Sequence, residues 1–201
     1  MSLFDGSRLA ALDTETTGFD PAQGHRVIEV ACVPLDDGRI GEPWSRLVRP
    51  GRPIPREATA IHGITDEMVR DAPGAAEVAA ELEERVAGRV LVFHNAAFDL
   101  PFLAVFMREA GRPPLLNPVV DTLGLARGLF GEGRNPLGVL AARLGLPPET
   151  AHRARGDALT TARVLLELGG QWEGRKGARS VAELAAASQD VMRLTSRRPR
   201  A

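Results

Sequence analysis

Residues 8–18, Arg8-Leu9-Ala10-Ala11-Leu12-Asp13-Thr14-Glu15-Thr16-Thr17-Gly18, pass from a short apolar run into a polar turn that ends on glycine. Such a run between polar ends predicts a strand over Arg8–Asp13. Strand side chains alternate between faces, so Asp13 and Glu15 point one way and Thr14 the other. Two carboxylates aimed at one place repel each other, and a bound cation resolves the conflict. Acid pairs at strand ends are common, however, so the reading needs support from the rest of the chain.

Outward from this point, Val27–Leu35 and Ile40–Val48 read as two strands joined by the hairpin signal Asp36-Asp37-Gly38-Arg39. Pro50, Pro53 and Pro55 mark an irregular stretch. Thr65 opens a short helix, and Ala75–Val86 has amphipathic helical spacing. Arg89–His94 reads as a strand buried on both faces, followed by a helix over Asp99–Ala110. Val119–Asp121 is a short strand. Helices follow over Thr122–Leu129, over Pro136–Leu144 behind an Asn135 cap, and over Asp157–Leu168. Gly169–Gly177 reads as a linker. Ser180–Leu194 reads as a helix with Ser180 and Glu183 in a capping box, and the last six residues as disordered. The expectation is a mixed-sheet α/β domain over residues 1–170, then a linker and basic tail over residues 171–201.

The 201 residues carry 25 basic and 26 acidic groups, a formal net charge of −1, and that balance alone speaks against a phosphate-binding protein. It averages two unlike parts, because residues 171–201 hold seven basic groups against three acidic ones. The single cysteine, Cys32, excludes a disulfide framework. No apolar run reaches the ~18 residues of a membrane helix, and the first residues lack a signal-peptide pattern. The expectation is a cytoplasmic protein with no membrane partner.

Two further segments bear on the acid pair. Asn95-Ala96-Ala97-Phe98-Asp99 follows the most hydrophobic strand directly, where functional residues of open α/β sheets collect. His152-Arg153-Ala154-Arg155-Gly156-Asp157-Ala158 leads into a helix with Asp157 at its start. Alone, Asp99 or Asp157 equally fits a partner for a helix dipole. Together, four carboxylates from three segments suit Mg²⁺ or Mn²⁺ better than zinc. They suffice for two ions ~3.5–4 Å apart, the arrangement that cleaves phosphodiesters by in-line displacement. A histidine can take the proton from the attacking water near neutral pH.

DTETTG (13–18), HNAAFD (94–99) and HRARGDA (152–158) resemble, in this order, the three motifs of the DEDDh family. These are 3′→5′ exonucleases, a superfamily that includes the proofreading epsilon subunit of bacterial DNA polymerase III. The resemblance spans roughly residues 8–168. The H-x-A-x-x-D spacing of His152, Ala154 and Asp157 separates this branch from a sister branch that uses tyrosine, which this chain lacks entirely. The resemblance implies a ribonuclease H-like α/β fold, a five-stranded mixed β-sheet flanked by helices. It implies Asp13, Glu15, Asp99 and Asp157 as the metal-binding acids, His152 as general base, and two divalent cations, Mg²⁺ or Mn²⁺, as cofactors. Ala60–Thr65 (AIHGIT) resembles a family segment near the 3′-terminal nucleotide, which puts Ile61 and His62 at the substrate. Thr16, Thr17, Gly18, Asn95 and Phe98 match further substrate-contacting positions. Phe98 also falls in an i, i+4, i+8 row with Phe102 and Phe106 that reads as core.

The implied activity is hydrolysis of DNA from its 3′ end, releasing nucleoside monophosphates in replication proofreading or repair. The alternatives are an RNA exonuclease of the ribonuclease T type and a non-catalytic polymerase or clamp adaptor. The implied partners are a single-stranded or frayed 3′ end of DNA, or RNA, together with a DNA polymerase catalytic subunit and a sliding clamp met through the C-terminal tail. Gln189–Leu194 loosely resembles Gln-led clamp-binding peptides. Val181, Leu184, Ala185, Ser188 and Met192 also fit one face of an amphipathic helix, and the helix is the preferred reading.

Overall fold

The first strand, β1 (Arg8–Thr16), runs past its expected end at Asp13 and forms the spine of a mixed sheet. On one side it pairs antiparallel with β2 (Val27–Asp36). On the other it pairs in parallel with β5 (Val90–Phe93), which in turn pairs in parallel with β6 (Val119–Asp121). This computed structural model describes residues 2–133 and 135–196. The terminal Arg197, Arg198 and Arg200, expected to be disordered, lie outside the described residues.

The sheet has six strands where five were expected. The stretch read as one strand over Ile40–Val48 is divided into β3 (Arg39–Ile40) and β4 (Trp44–Leu47), both antiparallel to β2. Between them one extra residue enters the register: Leu35 faces Ile40, but Cys32 faces Trp44. Pro43 lies in the gap and has no N–H for the ladder, so the strand bulges there and resumes. A second irregularity lies in the pairing of β1 with β2. Glu15 faces Glu29 and Thr16 faces Val27, which leaves Ile28 as the extra residue at the end of β1 that carries the acids.

Alternation along β1 divides the core into two layers. Leu9 and Ala11 pack with residues of α5 (Thr122–Phe130), α6 (Leu137–Arg143), α7 (Ala154–Lys176) and α8 (Val181–Ser196). Ala10 and Leu12 face α3 (Ala75–Val86) and α4 (Ala96–Glu109). A smaller cluster of Ile28, Ile54, Ala58, Ile64 and Val69 seats α1 (Arg56–His62) and α2 (Asp66–Val69). Helix α1, which was not expected, follows directly on the stretch read as irregular. Pro55 stands at its N-cap position, where a missing N–H does no harm, and Gly63 closes it with φ +72°.

Several expected boundaries move. Helix α4 begins at Ala96 rather than Asp99. Asn135 does not cap α6; Pro136 stands at that position, while the Asn135 amide donates to the Gly133 carbonyl. Helix α7 begins at Ala154 and continues through the expected linker to Lys176. Its glycines are outweighed by packing: Trp172 Nε1 donates to the Leu125 carbonyl at 3.0 Å, and a side chain at Gly169 would collide with the Phe4 ring. Helix α8 keeps most of its expected cap. Ser180 Oγ accepts from the Glu183 N–H, and the Glu183 carboxylate accepts from the N–H of Arg179. Gln189–Met192 is helical, and Met192 Sδ accepts from the Arg127 guanidinium. Among the described residues no helix is long and apolar enough to cross a membrane.

Candidate active site

The acid pair of β1 lies on the face covered by α7. Oxygen atoms of Asp13, Glu15 and Asp157 come within 4.8 Å of one another. Asp13 and Glu15 share a face through strand alternation, and Asp157 meets them from the first turn of α7. Asp99 approaches from the opposite layer. Its Oδ1 accepts from the Thr14 N–H at 3.1 Å and the Thr14 hydroxyl at 2.7 Å, so it grips the residue between the paired acids. The structure therefore brings three of the four expected acids together directly and holds the fourth against Thr14.

Burial and mutual repulsion show in the ionisation of these groups. Desolvation, then the charges of Asp99, Asp157, Glu15 and Glu29, push Asp13 well above the usual carboxylate range. Glu15 is pushed up to about 8 by burial and by Asp157 and Glu29, and Arg153 works against the shift. Burial raises Asp99 to about 7 although Thr14 hydrogen-bonds its charged form. Asp157 is raised by burial as well, with the His152 N–H bond to Oδ2, at 3.0 Å, opposing it. A cluster that holds protons this tightly is a ready site for a hard divalent cation, and its donors are all oxygen. On this chemistry the residues fit such an ion.

Glu29 was not anticipated. It is 3% exposed near the start of β2, opposite Glu15. Both of its oxygens take a bond from the Arg153 guanidinium at 3.0 Å, and Oε2 also accepts from the Ala154 N–H. This pair ties the HRARGDA segment to the sheet at Arg153 and Ala154, between His152 and Asp157. A lone glutamate inside VIEVACVPL was the available signal, since a buried charge needs a partner.

His152 is exposed, with φ +56°, and its side chain lines an apolar groove with Asp157, Leu137, Val139 and Leu146. The remaining expected residues, Asn95 excepted, gather around a second cleft, lined by Thr14–Gly18, Phe19, His25, Ala58, Ile61, His62 and Phe98. Thr17 is fixed by bonds to Arg26 on both its backbone and its hydroxyl. Gly18 is required here because a side chain would strike the His25 ring. Ile61 is half exposed at the rim, and Phe98 leans on Phe102 with ring centroids 5.4 Å apart. His62 is buried. Its Nδ1 accepts from the Ile64 N–H, while Nε2 has no hydrogen-bond partner among the described residues. Burial lowers its pKa, with the Thr16 backbone opposing the shift; because Nδ1 is the acceptor, the ring proton sits on Nε2, which is out of reach of solvent. Asn95 adopts φ +74° at the start of α4, away from this lining.

Clustered oxygen ligands at the end of a central strand, beside an apolar cleft, describe a metal-assisted hydrolytic site. The chain belongs to the exonuclease family RNase_T, whose model matches residues 10–165. It is 44% identical over 170 residues to a DNA polymerase III subunit epsilon-like protein of Rhodobacter capsulatus, a match covering 82% of this chain. It is 37% identical over 177 residues to the DNA polymerase III subunit epsilon of Escherichia coli, covering 82% of this chain and 73% of that protein. The chain spans only 24% of the Rhodobacter relative and 12% of a PolC-type DNA polymerase III of Thermotoga petrophila. Among solved structures, exonuclease X in complex with 5′ overhanging duplex DNA superposes with a TM-score of 0.72 at 30% identity. That match covers 90% of this chain and 99% of the other. The fold is thus the ribonuclease H-like one expected, with the sixth strand as a minor addition.

Proposed function

We propose that this protein is a metal-dependent 3′→5′ exonuclease that hydrolyses DNA from its 3′ end, releasing nucleoside monophosphates, and serves in replication proofreading. The observation that carries this reading is the convergence of Asp13, Glu15 and Asp157 oxygens within 4.8 Å beside a cleft that can receive a chain end. Asp13, Glu15, Asp99 and Asp157 hold two divalent cations, Mg²⁺ or Mn²⁺. When bound, such ions supply charge that activates an attacking water and stabilises a departing 3′-oxygen. His152, at the loop tip before Asp157, takes the proton from that water. The terminal nucleotide lies over His62, with its base against Ile61 and Phe98. Thr16, Thr17 and Gly18 bring backbone close to its sugar.

Residues 1–170 together with the rest of α7 form the exonuclease domain, on which α8 packs through Val181 and Leu184. The polymerase III relatives favour a DNA substrate and a polymerase catalytic subunit as partner, in the cytoplasm. A sliding clamp would have to meet Gln189–Leu194 as a helix.

Matched single-stranded DNA, single-stranded RNA and mismatch-ended duplex, followed over time, test this reading. DNA should shorten from a free 3′ end, and EDTA should stop it. Asp13→Ala should lower the rate by about 10³-fold or more, the loss expected when several kcal/mol of charge stabilisation disappear. His152→Ala should lower kcat by about 10²–10⁴-fold. Preference for RNA would assign the site to the ribonuclease T type, and no cleavage on any substrate would leave the adaptor.

A further inference from the structure

We infer that Asp121, with Ser188 of α8 behind it, is a positioning residue for Asp99, so that the C-terminal helix is part of the machinery that shapes the site. The inference rests on the reading of Asp99 as a metal-binding acid. Asp121 is 2% exposed at the end of β6. Its Oδ1 accepts from the Asn95 and Leu123 N–H groups, and its Oδ2 from the Ala96 N–H, at 2.9–3.0 Å. One buried carboxylate thus serves the N-termini of two helices, α4 and α5, where helix dipoles favour a negative charge.

Asn95 needs that support. Asparagine adopts φ +74° more readily than other non-glycine residues, and here its neighbours hold it in that conformation. With the amides of Asn95 and Ala96 held by Asp121, the first turn of α4 has one entry direction. That direction delivers Asp99 to the Thr14 N–H and hydroxyl.

The support extends into α8. Ser188, fully buried, accepts the Asp121 N–H through Oγ at 3.1 Å and donates the same hydroxyl to the Ala185 carbonyl. Helix α8 can come this close because Gly124 of α5 has no side chain. A Cβ there would collide with the Ser188 carbonyl, and one at Gly128 would collide with Trp172. Ser188, Asp121 and the Asn95 turn therefore form one hydrogen-bonded path from the last helix to Asp99.

The test uses the full chain and Mn²⁺ as probe, read by calorimetric titration and by the rise in Tm on adding Mn²⁺. Asp99→Ala is the control for the site. Asp121→Asn, which places an amide N–H₂ against one or more backbone donors, should weaken Mn²⁺ binding about tenfold to a hundredfold. On a single-stranded oligonucleotide it should lower kcat with little change in KM. Ser188→Ala, missing one hydrogen bond, should shift Mn²⁺ binding in the same direction by less. It decides between the outcomes alone if Asp121→Asn does not fold. Normal Mn²⁺ binding in the folded Asp121 and Ser188 variants, with binding lost in Asp99→Ala, would overturn the inference and leave the proposed function standing. Normal binding in Asp99→Ala itself would remove both.

Discussion

Glu29 keeps a charge inside an apolar strand because the Arg153 guanidinium and the Ala154 N–H both reach it. Removing one partner of such a pair leaves the other stranded. Arg153→Ala should therefore destabilise the fold by roughly 3 kcal/mol, the low end for buried pairs, because Arg153 is itself about a third exposed. Denaturant melts measure that loss. The same variant releases the segment carrying His152 and Asp157, so turnover under native conditions should fall about 10–100-fold. Wild-type turnover in a protein destabilised by that amount would mean that the pair holds the fold and leaves the site alone. Half of this arrangement was legible: a glutamate in VIEVACVPL announces a buried charge, but its cation lies 124 residues away. Asp13 and Glu15, by contrast, were readable as a pair because strand alternation is a local rule. The grip of Asp99 on Thr14 was not, because it depends on which face of the sheet α4 covers.

Among the elements, α7 shows propensity and packing in competition. Its first turn contains Gly156, and an added Cβ would collide with the backbone carbonyl of Thr150. Alanine is the better helix former by about 1 kcal/mol, so propensity alone favours Gly156→Ala. Sterics should win. The substitution should keep helical circular dichroism intact while pushing Thr150–His152 outward, and kcat should fall by more than about tenfold, as small misplacements of catalytic groups do. Unchanged kcat would show that the loop yields without moving His152. The glycines at 169, 170, 174 and 177 made the far end of α7 look like a linker. Only Gly177 ends the helix, with φ +74°, because Phe4 packed at Gly169 and the Trp172–Leu125 hydrogen bond hold the turns before it in place. Helix α3 and strand β6 matched their expected bounds because apolar spacing and flanking turns coincide there.

For the whole molecule, the raised acids make stability depend on pH. Their carboxyls bind protons more tightly folded than unfolded, where they release them near pH 4. Between those limits the folded form holds more protons, so stability falls as pH rises through about 7 for Asp99 and about 8 for Glu15. In EDTA, Tm should therefore drop between about pH 5 and 8. Mn²⁺ should flatten that drop, and Asp13→Asn should reduce it without metal. A Tm in EDTA that holds or rises over this interval would contradict the crowding of acids. The formal charge of −1 belongs to the same account, since part of the acidity is a site that divalent ions neutralise. The two rims of the sheet have a consequence of their own. An open strand edge is a template on which other chains can add strands and aggregate. At one rim β6 is only three residues long, and Ser188 of α8 already occupies the Asp121 N–H. At the other, the bulge around Pro43 breaks the edge into β3 and β4. The interruption that made six strands out of five and the helix seated on β6 thus guard the protein at both ends against edge-to-edge polymerisation.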